Sequence, residues 1–277
     1  MVRATRFLRI KEIGTILAKY DLIPWVPTVA QRLLGYVGTG ESNKRSRAMP
    51  VGKKLRFAFE ELGTTYIKLG QLLSLRKDVI PEEITEELKQ LQDRVSPIPF
   101  DEMRPIIERN ICAPIEEIFS QFDEEPLAAA SISQVYHAVL KKNGAEVVVK
   151  VRKPGIVDKM RSDLEMLKWL AEIMQNNSKL GEHFDFVGII DEFFSTMEME
   201  LDFTHELRNT RRFARNFSGA EWDWLVFPKI YDEYCNKYLL VMEYIKGRKL
   251  DQLGDPAFTI DRALLAKNGA RSFMKQV

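Results

Sequence analysis

Two valine-rich runs, 132–140 and 146–152, are joined by Lys141-Lys142-Asn143-Gly144, and no other stretch constrains the fold as tightly. Asn-Gly between such runs is a strong hairpin signal, because both residues tolerate the positive φ that tight turns demand. The surrounding periodicity is of another kind. Residues 3–20, 52–76 and 81–94, and a segment after Asp101, repeat apolar side chains at helical spacing, and a short amphipathic piece runs through Ile115 and Phe119. Helical spacing returns over 158–176 and 186–217, where Phe193, Met197 and Leu201 recur every fourth residue. Residues 225–231 and 238–243 read as two more strands, and 261–277 as a last helix. The pattern predicts an α+β fold.

Composition leaves room for such a core. A chain of 277 residues, 45% hydrophobic and 29% charged, is no disordered tail, collagen or coiled-coil rod. Cys112 and Cys235 match no zinc or disulfide spacing, and His137, His183 and His205 form no metal pattern, so no resident metal is expected and a reducing compartment fits. Charges interrupt every apolar run near the start, unlike a signal peptide, and no uncharged run approaches the ~18 residues of a membrane span. A cytoplasmic chain, peripheral at a membrane at most, is expected. The net charge of +1 hides an asymmetry: residues 1–56 hold 12 basic and 3 acidic groups, and residues 57–125 hold 7 and 16. Such a basic arm is either solvated or directed at an anionic membrane surface or lipid. Nucleic acid is not expected, because the arm lacks recurrent aromatic–basic interleaving.

Val147-Val148-Val149-Lys150 poses a sharper question, since a lysine ending a buried strand must meet an anion. Either it reaches solvent from an edge, or it is the strand lysine of a protein-kinase-like N-lobe, holding nucleotide phosphates and pairing with a helix glutamate. A hairpin before it, a glutamate-rich helix after it, and a strand running Leu239-Leu240-Val241-Met242-Glu243-Tyr244 toward a hinge favour the second. Ahead of the hairpin stand Ala128, Ala129 and Ala130, where kinases place glycines. Alanine restricts positive φ and stiffens the loop.

Together these residues resemble the UbiB/ADCK family of atypical kinases. Lys68-Leu69-Gly70-Gln71 is similar to its KxGQ motif, Ala128–Val135 to its alanine-rich nucleotide loop, and Val147–Lys150 to its third strand. Glu200-Leu201-Asp202, followed by Glu206 and Asn209, resembles its ExD motif and helix glutamate. The resemblance runs from about residue 50 to the C-terminus. It implies a helical extension folded over the nucleotide site of a kinase-like N-lobe, with ATP or ADP and magnesium in a complete member. It also implies ATPase or small-molecule kinase work, in isoprenoid-quinone (ubiquinone) biosynthesis or lipid homeostasis, commonly at membranes. By it Lys150, Glu206, Lys68, Gln71, Glu200 and Asp202 carry the chemistry. Ala128, Ala129, Ala130, Ser131, Val135, Val148, Lys150, Glu243 and Ile245 line the nucleotide. The segments become 1–48 (basic arm and linker), 49–114 (KxGQ-type extension), 115–243 (N-lobe) and 244–277 (hinge and start of a C-lobe).

Helix geometry puts Lys68 and Gln71 on one face, and Asp202 and Glu206 on another. Glu200 and Asp202 would lie about 200° apart on an ideal helix, so either the helix is distorted or the two acids serve different partners. Glu206 is expected to pair with Lys150, and Glu200 or Asp202 to approach Lys68. There are departures. Val148 stands where the pattern has a small alanine, and Tyr136 where the family often has histidine. His183-Phe184-Asp185 imitates a catalytic loop but has Ile190 in place of asparagine, and Asp185-Phe186-Val187-Gly188 is not Asp-Phe-Gly. With no catalytic aspartate and no magnesium ligands, a C-lobe largely absent, weak nucleotide binding and no turnover are expected. The alternative is a non-catalytic membrane or lipid module with a kinase-like scaffold.

Overall fold

A computed structural model describes residues 2–25, 48–78, 80–91, 96–177, 183–247 and 261–276. It divides into two units, Met1–Glu243 and Tyr244–Val277. The first unit opens with helices α1 (Val2–Lys19), α2 (Val51–Leu62), α3 (Thr64–Leu75), α4 (Glu82–Leu88), α5 (Phe100–Ile111) and α6 (Ile115–Ile118). Pro50, Pro81, Pro99 and Pro114 cap the starts of α2, α4, α5 and α6. Each brings a fixed φ to a position where extended chain turns into helix. The helix predicted over 52–76 is two helices. Gly63, at φ +94°, ends α2 and starts α3, a backbone state that side chains resist. The helix predicted over 81–94 ends at Leu88, and residues 92–95 lie outside the described residues.

Five strands form one antiparallel sheet: β1 (Phe119–Phe122), β2 (Ala128–Ala129), β3 (Ser133–Leu140), β4 (Glu146–Arg152) and β5 (Leu239–Glu243). The order is β1-β3-β4-β5, with β2 beside β3. The predicted hairpin is β3–β4, turning through Gly144 at φ +68°. The helical piece through Phe119 is one turn only, and β1 follows it. The strand predicted over 225–231 does not form among the described residues, where only Ile230 bridges to Met242. Pro228 has no amide to donate there, and the neighbouring Phe227 packs into an aromatic cluster.

Helices α7 (Ile156–Asn177), α8 (Phe186–Leu201) and α9 (Phe203–Asn216) fill the stretch between β4 and β5. The single helix predicted over 186–217 is broken at Asp202, whose backbone is extended and whose carboxylate accepts from the Thr204 amide at 2.9 Å.

Strand alternation separates two cores. Val147, Val149 and Val151 of β4 are buried with Tyr136, Leu239 and Val241 against Met103 and Ile107 of α5. Thus α5, on the extension side of residue 114, packs with the sheet. Val148, Lys150 and Arg152 point the other way. The other core gathers Ile13 of α1, Leu62 of α2, Tyr66 of α3, Met160 of α7 and Phe193 of α8. Helix α1 is therefore built in: Ile13 and Ile16 are buried. Arg9 reaches the fully buried Asp163 at 2.6 Å. That face of α1 is not free for a membrane, and the basic residues of 32–47 lie outside the described residues. No described helix is long and apolar enough to cross a membrane. In the second unit, α10 (Arg262–Met274) starts at Asp261, which accepts from the Leu264 amide.

Candidate functional site

The alternation of β4 aims Lys150 away from the valine core and toward the first turn of α9. Its Nζ lies 2.6 Å from Glu206 Oε2 and 5.0 Å from the centre of the buried Phe203 ring. Both partners of the pair are only partly exposed. Lys68 of α3 arrives from the helical extension and meets Glu200 of α8 at 3.5 Å. The helix break resolves the two carboxylates of the ExD motif. Glu200 ends α8 facing Lys68, whereas Asp202 caps α9. Burial opposes ionisation of Asp202, but the hydrogen bonds from Thr204 outweigh it and hold the carboxyl below the usual range.

These groups surround a cavity of about 780 Å³. Of the residues expected at the site, Lys68, Ala130, Ser131, Lys150, Glu200, Asp202 and Glu206 line it. The others do not. Gln71 donates instead to the carbonyl of Leu91 at 3.2 Å. Gly70 is equally structural, because a Cβ there would sit 2.2 Å from Leu91 and 2.8 Å from Phe59. So within Lys68–Gln71 the lysine faces the cavity while Gly70 and Gln71 close the helix packing. Ala128 and Ala129 are held in β2, paired with Val135 and Gln134. Val135 lies opposite Lys150 on the neighbouring strand, and Val148 is two residues before it, so both share the sheet face without lining the cavity. The backbone amide of Glu243 donates to Lys229 at 2.8 Å, and Ile245 is exposed in the second unit.

The loop over the cavity is stiff in more than its alanines. The Ala130 amide donates to the Ser133 carbonyl at 2.9 Å, Ser131 is buried, and Thr64 at the head of α3 donates to the Ser131 carbonyl at 3.5 Å. The KxGQ-bearing helix thereby touches the loop as well as the cleft.

An aromatic wall escaped the sequence reading. Phe213 and Phe227 stack with centroids 6.4 Å apart at the cavity lining. Asn209, Thr210 and Phe213 follow Glu206 by three, four and seven residues, the spacing of one helix face, so placing Glu206 was enough to find them.

Two ammonium groups, each with a carboxylate beside it, and a buried hydroxyl suit an anion such as a phosphate chain. A metal fits less well. Among the described residues no three His, Cys, Asp or Glu side chains gather to hold one. Glu200, Asp202 and Glu206 are each already engaged, so they do not make a magnesium site.

Comparison with known proteins points in one direction. A family profile described as "ABC1 atypical kinase-like domain" matches residues 90–277. A "probable protein kinase UbiB" of Aeromonas salmonicida (strain A449) is 36% identical over 263 residues, which are 94% of this chain and 46% of that protein. Its counterpart in Azotobacter vinelandii (strain DJ) is also 36% identical, over 100% of this chain and 52% of its own length. The chloroplastic protein ACTIVITY OF BC1 COMPLEX KINASE 8 of Arabidopsis thaliana is 39% identical, over 87% of this chain and 31% of its own. The chain thus spans about half the length of the UbiB relatives. A solved structure of Rv3197 from Mycobacterium tuberculosis, in complex with erythromycin, superposes with a TM-score of 0.51 at 28% identity, covering 74% of this chain and 51% of that one.

Proposed function

Since the chain belongs to the ABC1 atypical kinase-like family, we propose that it is the nucleotide-binding half of a UbiB-type atypical kinase or ATPase. The observation that carries this reading is the Lys150–Glu206 pair, 2.6 Å long, at the edge of the main cavity. In that role Lys150 holds nucleotide phosphates and Glu206 keeps its ammonium pointed at them. Lys68 adds a second cation from the extension, with Glu200 fixing it. Backbone near Ala130 and Ser131 covers the phosphates.

ATP or ADP is the ligand we assign. Magnesium supplies charge neutralisation between phosphates when it is bound, but the carboxylates among the described residues do not gather to hold it. No residue of the chain fills the catalytic-loop aspartate role, so we assign binding without turnover to the chain by itself. The relatives named UbiB and the resemblance set out above support a link to ubiquinone biosynthesis or lipid homeostasis. The alternative membrane module gains nothing from α1, whose Ile13 and Ile16 are buried.

Titration of the full chain with a fluorescent ATP analogue tests the reading. Lys150→Ala should weaken binding by about tenfold or more, since hydrogen bonds to charged groups contribute on the order of 1.5–3 kcal/mol. Equal affinity in a folded Lys150→Ala variant sinks the assignment. Steady-state ATP hydrolysis that survives purification and vanishes in the variant would show that the chain contains its own catalytic machinery.

A further inference from the structure

A second cavity, of about 460 Å³, shares Asp202 with the first. Its apolar lining comes from Val157 and Leu164 of α7 and Phe194 and Leu201 of α8. Its polar lining is dominated by cations: Arg152 at the end of β4, Arg161 on α7, and Lys237 just before β5.

Arg152 is half-buried and makes no close ion pair with a carboxylate among the described residues. Its Nη1 donates to the Leu201 carbonyl at 2.6 Å, and its guanidinium lies 4.2 Å from the centre of the Tyr238 ring. Lys237 Nζ approaches the same ring at 4.7 Å. Burial lowers the basicity of Arg152, and the neighbouring Tyr238 and Asp202 offset it only in part. Several other cations in this unit with restricted exposure meet acids, Arg9 with Asp163, Lys54 with Asp21, Arg56 with Glu87 and Lys150 with Glu206, whereas the buried Lys153 does not. Arg152 in the second cavity likewise lacks such a pair. Two acids also line it, but Asp202 is committed to capping α9 and Glu198 is exposed. Three cations therefore face two carboxylates across an apolar floor, which leaves the lining one positive charge in excess.

We propose that this cavity is a binding site for a small amphipathic anion, a carboxylate or phosphate monoester on an aromatic or short aliphatic body. The head meets the fork of Arg152 and the ammonium of Lys237, and the body lies against Leu164 and Phe194. An arginine fork matches either head in two-point geometry, and the volume falls in the range of small-molecule sites. The site stands on its own residues and does not depend on nucleotide binding next to it.

Isothermal titration of the full chain with 2-naphthoate, 2-naphthyl phosphate and the neutral 2-naphthol is the test. One equivalent of at least one anion should bind about tenfold tighter than 2-naphthol, the margin expected of charge-assisted hydrogen bonds. Which anion binds tighter identifies the head. The exposed pair Arg161→Gln with Lys237→Gln should remove most of that margin and leave 2-naphthol unchanged, with circular dichroism checking the fold. Lys150→Ala should leave anion binding unchanged. Three results overturn the proposal: no preference of either anion over 2-naphthol, undiminished anion binding in the double variant, or a parallel loss in Lys150→Ala, which would move the ligand to the first cavity.

Discussion

Replacing Arg9 with methionine asks whether the basic N-terminal segment belongs to the fold or merely trails from it. Asp163 is fully buried and accepts from Arg9 Nε at 2.6 Å, from Arg9 Nη2 at 3.1 Å and from Thr65 Oγ1 at 2.9 Å. Arg9 also donates to the Leu62 carbonyl at 2.8 Å. Methionine keeps most of the stem's packing, so the loss is mainly polar. Asp163 would retain one hydroxyl donor for a buried charge. Removing one partner of a buried pair costs about 3–5 kcal/mol, a large share of the roughly 5–15 kcal/mol that holds a domain together. The double change Arg9→Met with Asp163→Leu should recover much of it, because no orphaned charge remains. Urea unfolding followed by circular dichroism and by tryptophan fluorescence measures both, and coincident transitions license the comparison. Glu61→Gln is the control. Its pair with Lys19 has side chains 37% and 51% exposed, and its loss should cost only about 0–1 kcal/mol. If Arg9→Met costs no more than that control, α1 is not docked through Asp163 and the reasoning fails.

Two more substitutions probe a helix cap and a buried cation. Asp202→Ala removes the cap of α9 and should destabilise by about 0.5–2 kcal/mol. Because the native carboxyl titrates below its ordinary value of about 3.9, that difference should be full above this pH and fade as acid protonates the native group; a difference unchanged at strongly acid pH refutes the assignment. Lys153 is 7% exposed with no hydrogen-bond partner for its ammonium, and burial lowers its basicity. Lys153→Met should therefore stabilise by about 1–3 kcal/mol at neutral pH. The native lysine loses its proton more readily than the unfolded one, so wild-type stability should rise with pH up to the ordinary lysine value of about 10.4, and the advantage of methionine should shrink. Loss of stability in Lys153→Met, or parallel pH profiles, would show that the ammonium has found a partner.

What could be read from sequence was local. Asn143-Gly144 fixed the hairpin, and a two-residue period then placed Val148, Lys150 and Arg152 on one face and the valines on the other. The interruptions were harder, because apolar spacing runs through them. Gly63 and Asp202 both sit inside continuous helical patterns, although a glycine and an aspartate are a breaker and an N-cap in their own right. The docking of α1 had no local signal at all, since Arg9 and Asp163 are 154 residues apart. The same holds for Gln71, which spacing puts beside Lys68 but whose amide is taken by Leu91, 20 residues on. Long-range hydrogen bonds of this kind leave no periodic trace.

The break at Asp202 does more than end a helix. On an uninterrupted helix Glu200 and Glu206, six residues apart, would point about 120° away from each other. They could hardly serve one cleft. The extended backbone at Asp202 re-aims α9, and Glu200 reaches Lys68 at 3.5 Å while Glu206 reaches Lys150 at 2.6 Å. The break is itself held from β4. Arg152, two residues after Lys150 on the same strand face, binds the carbonyl of Leu201 just before the break. One strand therefore grips both sides of the interruption, with Arg152 on the last turn of α8 and Lys150 on the first turn of α9. Any shift of β4 against that pair of helices must disturb both contacts together.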